Sequence, residues 1–541
     1  MSTVAQDEAM PTGQQQRQQD YDTWSHTDLI NRVTDLEAQL KVKNAAHSQR
    51  PPSPTPSFKK KPKKSSKPFD PSKYNTRLIA LKFAYLGKRY NGFEHHSNNT
   101  TPLPTVEEEL WKALRKTKLI FPTFKEGQSE NEVIALRVRS SRPKDDVAAV
   151  GADEDNSLLV RDEPAVAWDS VENELPYIQL LNRVLPPDIR MLAWCPRPPP
   201  DFSARFNCKE RRYRYFFTNP AFPPIPSESR RGEDSVGGAW LDIEAMHQAA
   251  KKLEGVHDFR NFCKVDPSKQ ISDFRRRIFH AGIVAVKANE HSGAFLDRAP
   301  FVADALATGA TIDVSQPQWY YFEVRGSAFL WHQVRHMMTI LFLIGQGYEQ
   351  SSVVDDLLNI HKTPAKPVYE MAADTPLVLW DCVFPNLDQV TSNDHGSGSS
   401  TGYEDALEWI YVGDAASKAP STSRVSTGIE DRKYGRLSVM EDVWALWRKT
   451  KIDEVLAGSL MDVVARQGTS ERAIEEDRMR SGEVSARVFD GSETPRTVGR
   501  YIPVVERERL ETPEAVNARY AARKGLDTSL RVNVDSGATD E

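Results

Sequence analysis

The chain has 541 residues, of which 39% are hydrophobic and 27% charged, against about 45–50% and about 25% in typical soluble domains; core-forming residues must therefore be concentrated in part of it. Four widely spaced cysteines without a CxxC pair exclude a disulfide scaffold and a compact cysteine zinc site. The formal charge of −5 does not exclude a nucleic-acid partner, because an average over acidic inserts says little about one folded face.

The polar N-terminus has no apolar signal-peptide region. Leu29, Val33, Leu36 and Leu40 follow at 4-3-4 spacing, so a short coiled-coil helix is expected over residues 25–43, either self-associating or frayed without a partner. Proline dominates residues 48–57, and six lysines fill nine positions from Lys59 to Lys67. Such a run cannot bury itself; it is a solvated linker, a nuclear-import signal or an RNA tether. The folded core is expected to begin at residue 77, where residues 78–85 read as a buried strand. Thr105 and three following glutamates open a helix to about Lys118, and residues 133–138 form another strand. Residues 145–174 hold ten acids and read as an exposed insertion.

A helix over 176–184 then leads to strands at 191–196 and 212–218, a helix at 243–253, strands at 276–287 and 319–324, and a largely apolar helix at 332–346. Within that helix, the longest largely apolar run, Met337 to Ile344, is far shorter than the roughly 20 residues of a membrane span. A soluble, intracellular protein without a membrane partner is expected. Strands alternating with helices indicate an α/β core ending near Phe384. Residues 385–403 read as a linker, and 404–541 as an extension that is helical over 440–465 and otherwise extended or disordered.

The stretch from Asp201 to Tyr215 is the most informative. Alternation puts Tyr213 and Tyr215 on one face of a strand and Arg212 and Arg214 on the other. Basic residues interleaved with aromatics suit RNA, since guanidinium neutralises phosphate and a ring can stack on an unpaired base. A half-buried strand with solvated arginines has the same composition. His332 and His336 read as structural residues, and no metal site is expected.

These residues carry a family resemblance. Residues 84–93, 105–110, 185–190, 201–215, 255–264 and 326–335 are similar, in order, to the motifs of TruA-type tRNA pseudouridine synthases. They most resemble the eukaryotic branch acting on tRNA positions 38 and 39. The resemblance spans about residues 77–384. It implies an α/β (α+β) core of two similar halves, each a mixed sheet backed by helices, with a basic cleft for tRNA. It implies an isomerase that detaches uracil, rotates it and rejoins it through carbon without cofactor or metal. Tyr213 matches the tyrosine that packs on the target base, Arg335 the arginine that pairs with the catalytic aspartate, and Arg205 lies in a stretch near the RNA. Arg212 and Arg214 are expected to meet phosphates. Nucleus and cytoplasm are the expected locations, and a homodimer through the core or residues 25–43 is left open.

One departure falls at the catalytic residue. The family carries its aspartate in a Gly-Arg-Thr-Asp-x-Gly-Val segment just before the strand matching residues 133–140, and here residues 121–132 run straight into that strand. No aspartate lies between Asp70 and Asp145. Sequence on both sides matches the family, so the break has the form of a skipped exon or misassigned exon boundary. A catalytically silent tRNA-binding protein is the alternative. Arg335 lacks that aspartate here; a buried guanidinium would need another acceptor or water, and Arg335→Met is expected to be neutral or stabilising.

Overall fold

The computed structural model describes residues 32, 70–93, 95, 102–121, 135–142, 171–224, 236–286, 317–386, 403–414, 433–434, 438–467 and 486–526. The chain forms two compact units, residues 1–70 and 71–541. In the first, Arg32 is helical. The rest of the expected coiled-coil helix, and the lysine run, lie outside the described residues.

In the second unit, β1 (Thr76–Tyr85), α1 (Val106–Lys116), β2 (Ala135–Arg139), α2 (Tyr177–Asn182) and β3 (Ile189–Cys195) form the first half. The sequence reasons are local. Thr105 accepts the Glu108 N–H and caps α1, and the glutamates of its first turn suit the helix dipole. Odd-numbered residues of β1, Ile79 and Leu81, pack with Leu110, Leu114, Ile178 and Leu181 from the two helices. The sheet order is β2-β1-β3, and a two-residue strand β9 (Ile410–Tyr411) closes the β3 edge.

The second half contains β4 (Glu210–Asn219), α3 (Ile243–Lys251), β5 (Gly255–Asp258), β6 (Arg275–Ala285), β7 (Gln318–Gly326), α4 (Gln333–Gly345), α5 (Ser352–Leu358) and β8 (Leu377–Val383). Its sheet order is β5-β6-β7-β4-β8. Tyr215, Phe217, Phe322 and Val324 turn one face onto α3 and α4. All residues of α4 except Arg335 are buried, as an all-round apolar helix requires. Every described strand pair is antiparallel, where mixed sheets were the expectation. Helices back the sheets without serving as crossovers between parallel neighbours.

Packing does not stop at Phe384. Beyond it, α6 (Val439–Ala465) has no buried residue, but β10 (Ala486–Val488), β11 (Arg496–Val498) and α7 (Pro513–Lys524) follow, and Val488, Phe489 and Val504 belong to the second half's apolar core. Glu174, at the end of the acidic stretch, is also inside the fold. Its carboxylate accepts from Ser140 Oγ at 2.6 Å, the Ser141 N–H at 2.8 Å and Arg77 at 3.1 Å. Residues 145–170 of that stretch lie outside the described residues. No helix among the described residues is long and apolar enough to cross a membrane.

Gly491 shows how tightly the C-terminal segment sits. Its φ is +90°, and a Cβ there would lie 2.6 Å from Ala372 Cβ and 2.8 Å from Phe342 Cε2. Gly491→Ala is expected to destabilise the protein by roughly 3 kcal/mol through left-handed strain and overpacking together. Calorimetry reads this as a lower Tm; an unchanged Tm would refute the docked position of this segment.

Candidate active site

The matched stretches assemble in two groups. In the first half, the Tyr90 hydroxyl donates to Asp188 at 2.6 Å and Arg89 pairs with the same carboxylate at 3.3 Å. The backbone of Gly92 and Phe93 accepts from the N–H groups of Val106 and Glu107, opening α1. Residues 84–93, 105–110 and 185–190 therefore meet. In the second half, Arg211 donates to the Ser327 carbonyl at 3.0 Å, and the Lys264 N–H to the Trp331 carbonyl at 3.0 Å. These bonds join residues 201–215, 255–264 and 326–335.

Tyr213 lies on β4, on the same strand face as Tyr215 and Phe217, half-buried against the apolar core. Phe329 meets its ring edge-on at 5.0 Å. Burial, and then the nearby Cys382, push its hydroxyl up to about 12, so it stays protonated at neutral pH.

Arg335 sits in the first turn of α4. Its Nε donates to the Ala372 carbonyl at 2.6 Å, and its Nη1 lies 3.8 Å from Asp374 Oδ2. The other acceptor that a buried guanidinium needs comes from a loop 37 residues downstream, which supplies a carbonyl and a loosely held carboxylate. Asp374 is 78% exposed against 14% for Arg335, so the carbonyl bond carries most of the stabilisation. Arg335→Met, neutral or stabilising if the charge had no partner, is instead expected to cost about 1–3 kcal/mol, because it strands a buried carbonyl. A melting temperature equal to the parent's would sink this assignment.

Arg205 is exposed, its guanidinium 5.8 Å from the Phe206 ring centroid. Arg212 and Arg214 point to the opposite sheet face from Tyr213 and are engaged there. Arg212 pairs with Glu210 at 2.7 Å. Arg214 pairs with Glu323 at 3.0 Å and lies between Tyr321 and Trp380, 4.3 and 4.1 Å from their centroids. Glu210 is fully buried and also accepts from Arg325 at 2.8 Å and the Tyr403 N–H at 2.9 Å. Strand alternation separates these arginines from Tyr213 and sets Glu210 on the face of Arg212, two residues away; nothing local in sequence reveals Glu323, which takes Arg214 from 109 residues away.

His336 is buried, with Nδ1 3.0 Å from the His332 carbonyl oxygen and Nε2 2.6 Å from Lys366 Nζ. Burial, and then Lys366, bring His336 down to about 3; burial, and then Arg335, bring His332 down to about 4. Both are neutral at pH 7. Among the described residues, no group of three or more His, Cys, Asp or Glu side chains could hold a metal ion. The sequence reading did not assign Lys366, Asp374 or Phe329 to the site; of the three, only Phe329 stands within a matched stretch, residues 326–335.

A tRNA pseudouridine synthase family model matches residues 249–385. The tRNA pseudouridine(38/39) synthase of Saccharomyces cerevisiae is 37% identical over 412 residues, 72% of this chain and 78% of that protein. The chain belongs to the tRNA pseudouridine synthase family. The human protein of the same name is 40% identical over 335 residues, covering 60% of this chain and 59% of its own length; the mouse protein is 39% identical over 372 residues, covering 66% of each. Pseudouridine synthases are isomerases. The stretch matched by the family model contains Arg335, Lys264 and Trp331, while Tyr213 and Arg205 precede it.

Proposed function

We propose that this chain binds the anticodon stem-loop of tRNA and is built to isomerise uridine to pseudouridine at positions 38 and 39. The observation that carries the reading is the joining of Tyr213 to the start of α4 through Phe329, with Arg335 six residues beyond. On this reading a flipped uracil packs on Tyr213. Its N1–C1′ bond breaks, the ring turns, a C5–C1′ bond forms and the C5 proton leaves. Arg335 holds an aspartate ionised beside the ribose. That aspartate belongs to the segment missing ahead of β2, so this chain binds without turnover until the segment is restored. The second reading, a silent tRNA-binding protein, rests on the absence of aspartate between Asp70 and Asp145.

The test is binding of an anticodon stem-loop carrying uridines at 38 and 39, compared with an acceptor stem-loop of equal length. Preference for the anticodon stem-loop supports the proposal, and equal affinity refutes it. Arg205 is the exposed cation offered to phosphate, whereas Arg212 and Arg214 brace the sheet. Arg205→Ala is expected to lower the slope of log affinity against log salt by roughly one; an unchanged slope would remove Arg205 from the RNA surface.

Two further expectations belong to the same proposal. The lysine run directs the protein to the nucleus, so Lys→Gln changes across residues 59–67 should leave a fluorescent fusion cytoplasmic. The chain pairs with a second copy through the core or residues 25–43, which sedimentation of the full chain and of a variant lacking residues 25–43 would read directly.

A further inference from the structure

The turn leading into α4 presents a tryptophan for which the isomerisation has no task. Trp331 is 45% exposed. The turn holds it firmly. Leu330 is buried on one side, its N–H bonded to the Gln333 side chain at 2.7 Å, and the Trp331 carbonyl accepts from Lys264. His332 packs its ring 4.5 Å from Trp331 and has φ 62° and ψ 14°, a left-handed conformation that a non-glycine residue keeps only where its surroundings enforce it. The exposed Lys264 reaches over the indole, its Nζ 4.8 Å from the centroid. Two residues before Trp331, Phe329 touches Tyr213; four residues after it stands Arg335.

A fixed aromatic plate with a movable cation above it matches the chemistry of one unpaired nucleotide. The base has a π-face for the indole, and the flanking phosphate has a charge for the ammonium. We propose that Trp331 and Lys264 form a second nucleotide subsite: an unpaired loop base near the target uridine stacks on Trp331, and Lys264 leaves the ring for that nucleotide's phosphate. Trp331 is thus a positioning residue that fixes the register of the loop relative to Tyr213. The inference rests on the anticodon stem-loop reading above.

The experiment measures binding of the full chain to the anticodon stem-loop and requires no turnover. Trp331→Ala is expected to weaken binding about tenfold, with Trp331→Phe recovering most of the loss and the Tm of both variants close to that of the parent. Lys264→Met should lower the salt slope by about one. A set of stem-loops, each with one abasic loop nucleotide, locates the contact: at one position Trp331→Ala should no longer weaken binding, because the base it stacks on is gone. Undiminished affinity of Trp331→Ala, or a loss equal on every abasic RNA, overturns the subsite while leaving the broader reading in place. If the unaltered chain shows no preference for the anticodon stem-loop, both fall.

Discussion

Insertion of the Gly-Arg-Thr-Asp-x-Gly-Val segment directly before Val133 is expected to convert a chain that binds tRNA without turnover into one that releases tritium from tRNA labelled at uracil C5. The label leaves only when C5 bonds to C1′, so release reports the isomerisation itself. The same insertion with Asn in place of Asp should be slower by on the order of 10⁴-fold, the upper end of what a positioned acid or base supplies. On the proposed reading, Arg335 takes the incoming carboxylate. Its contact with the exposed Asp374 is long and worth little, so a closer aspartate displaces it. Release by the unaltered chain would show that another carboxylate does the chemistry, and a folded insertion variant without release would favour the silent binding protein. Messenger RNA across the codons for Gln128 to Val133 provides an independent check, since a transcript with the in-frame segment is expected.

The second large effect lies on the far sheet face. Replacing Arg212 and Arg325 together by Met strands the Glu210 carboxylate, which is fully buried. An uncompensated buried charge costs about 3–5 kcal/mol, or roughly 3–5 °C in Tm for a chain of this length. Adding Glu210→Gln to that background should recover most of the loss; failure to do so would mean that the arginines act through packing alone. The pH dependence has a definite sign. Burial pushes the Glu210 carboxyl up, but Arg325 and Arg212 outweigh it and hold the group below its ordinary value of 4.5. In the parent, the resulting stabilisation is present above that pH and is lost as pH falls through the lowered value. Without the arginines burial dominates, the carboxyl titrates above 4.5, and the variant should lose its disadvantage as acid neutralises it.

Residues whose neighbours are close in sequence were legible from it. The run around Met337–Ile344 and the cap at Thr105 depend on spacing and short-range hydrogen bonds, and both helices lie within two residues of expectation. Tyr213 and Arg335 are proposed as site residues through motif resemblance alone. Alternation also separated Arg212 and Arg214 from Tyr213, but it cannot say what each face meets; Glu323 is 109 residues from Arg214. The same limit hid the acceptor of Arg335 and the return of Val488 and Phe489 to the core, because their apolar residues are few and lie beyond a charge-dense stretch. Trp331 lies in one of the matched stretches, yet its exposure is a property of the turn and not of the residue type.

The brief strand β9 has a consequence for synthesis on the ribosome. Ala193 and Trp194 of β3 pair with Tyr411 and Ile410, more than 200 residues downstream. During translation the first sheet therefore emerges with an open edge, of the kind that recruits foreign strands, and keeps it while the entire second sheet is made. The second half is unfinished in its turn until Val488, Phe489 and Val504 have left the exit tunnel. Each half therefore completes its native contacts only after residues far beyond its own main strands have been made.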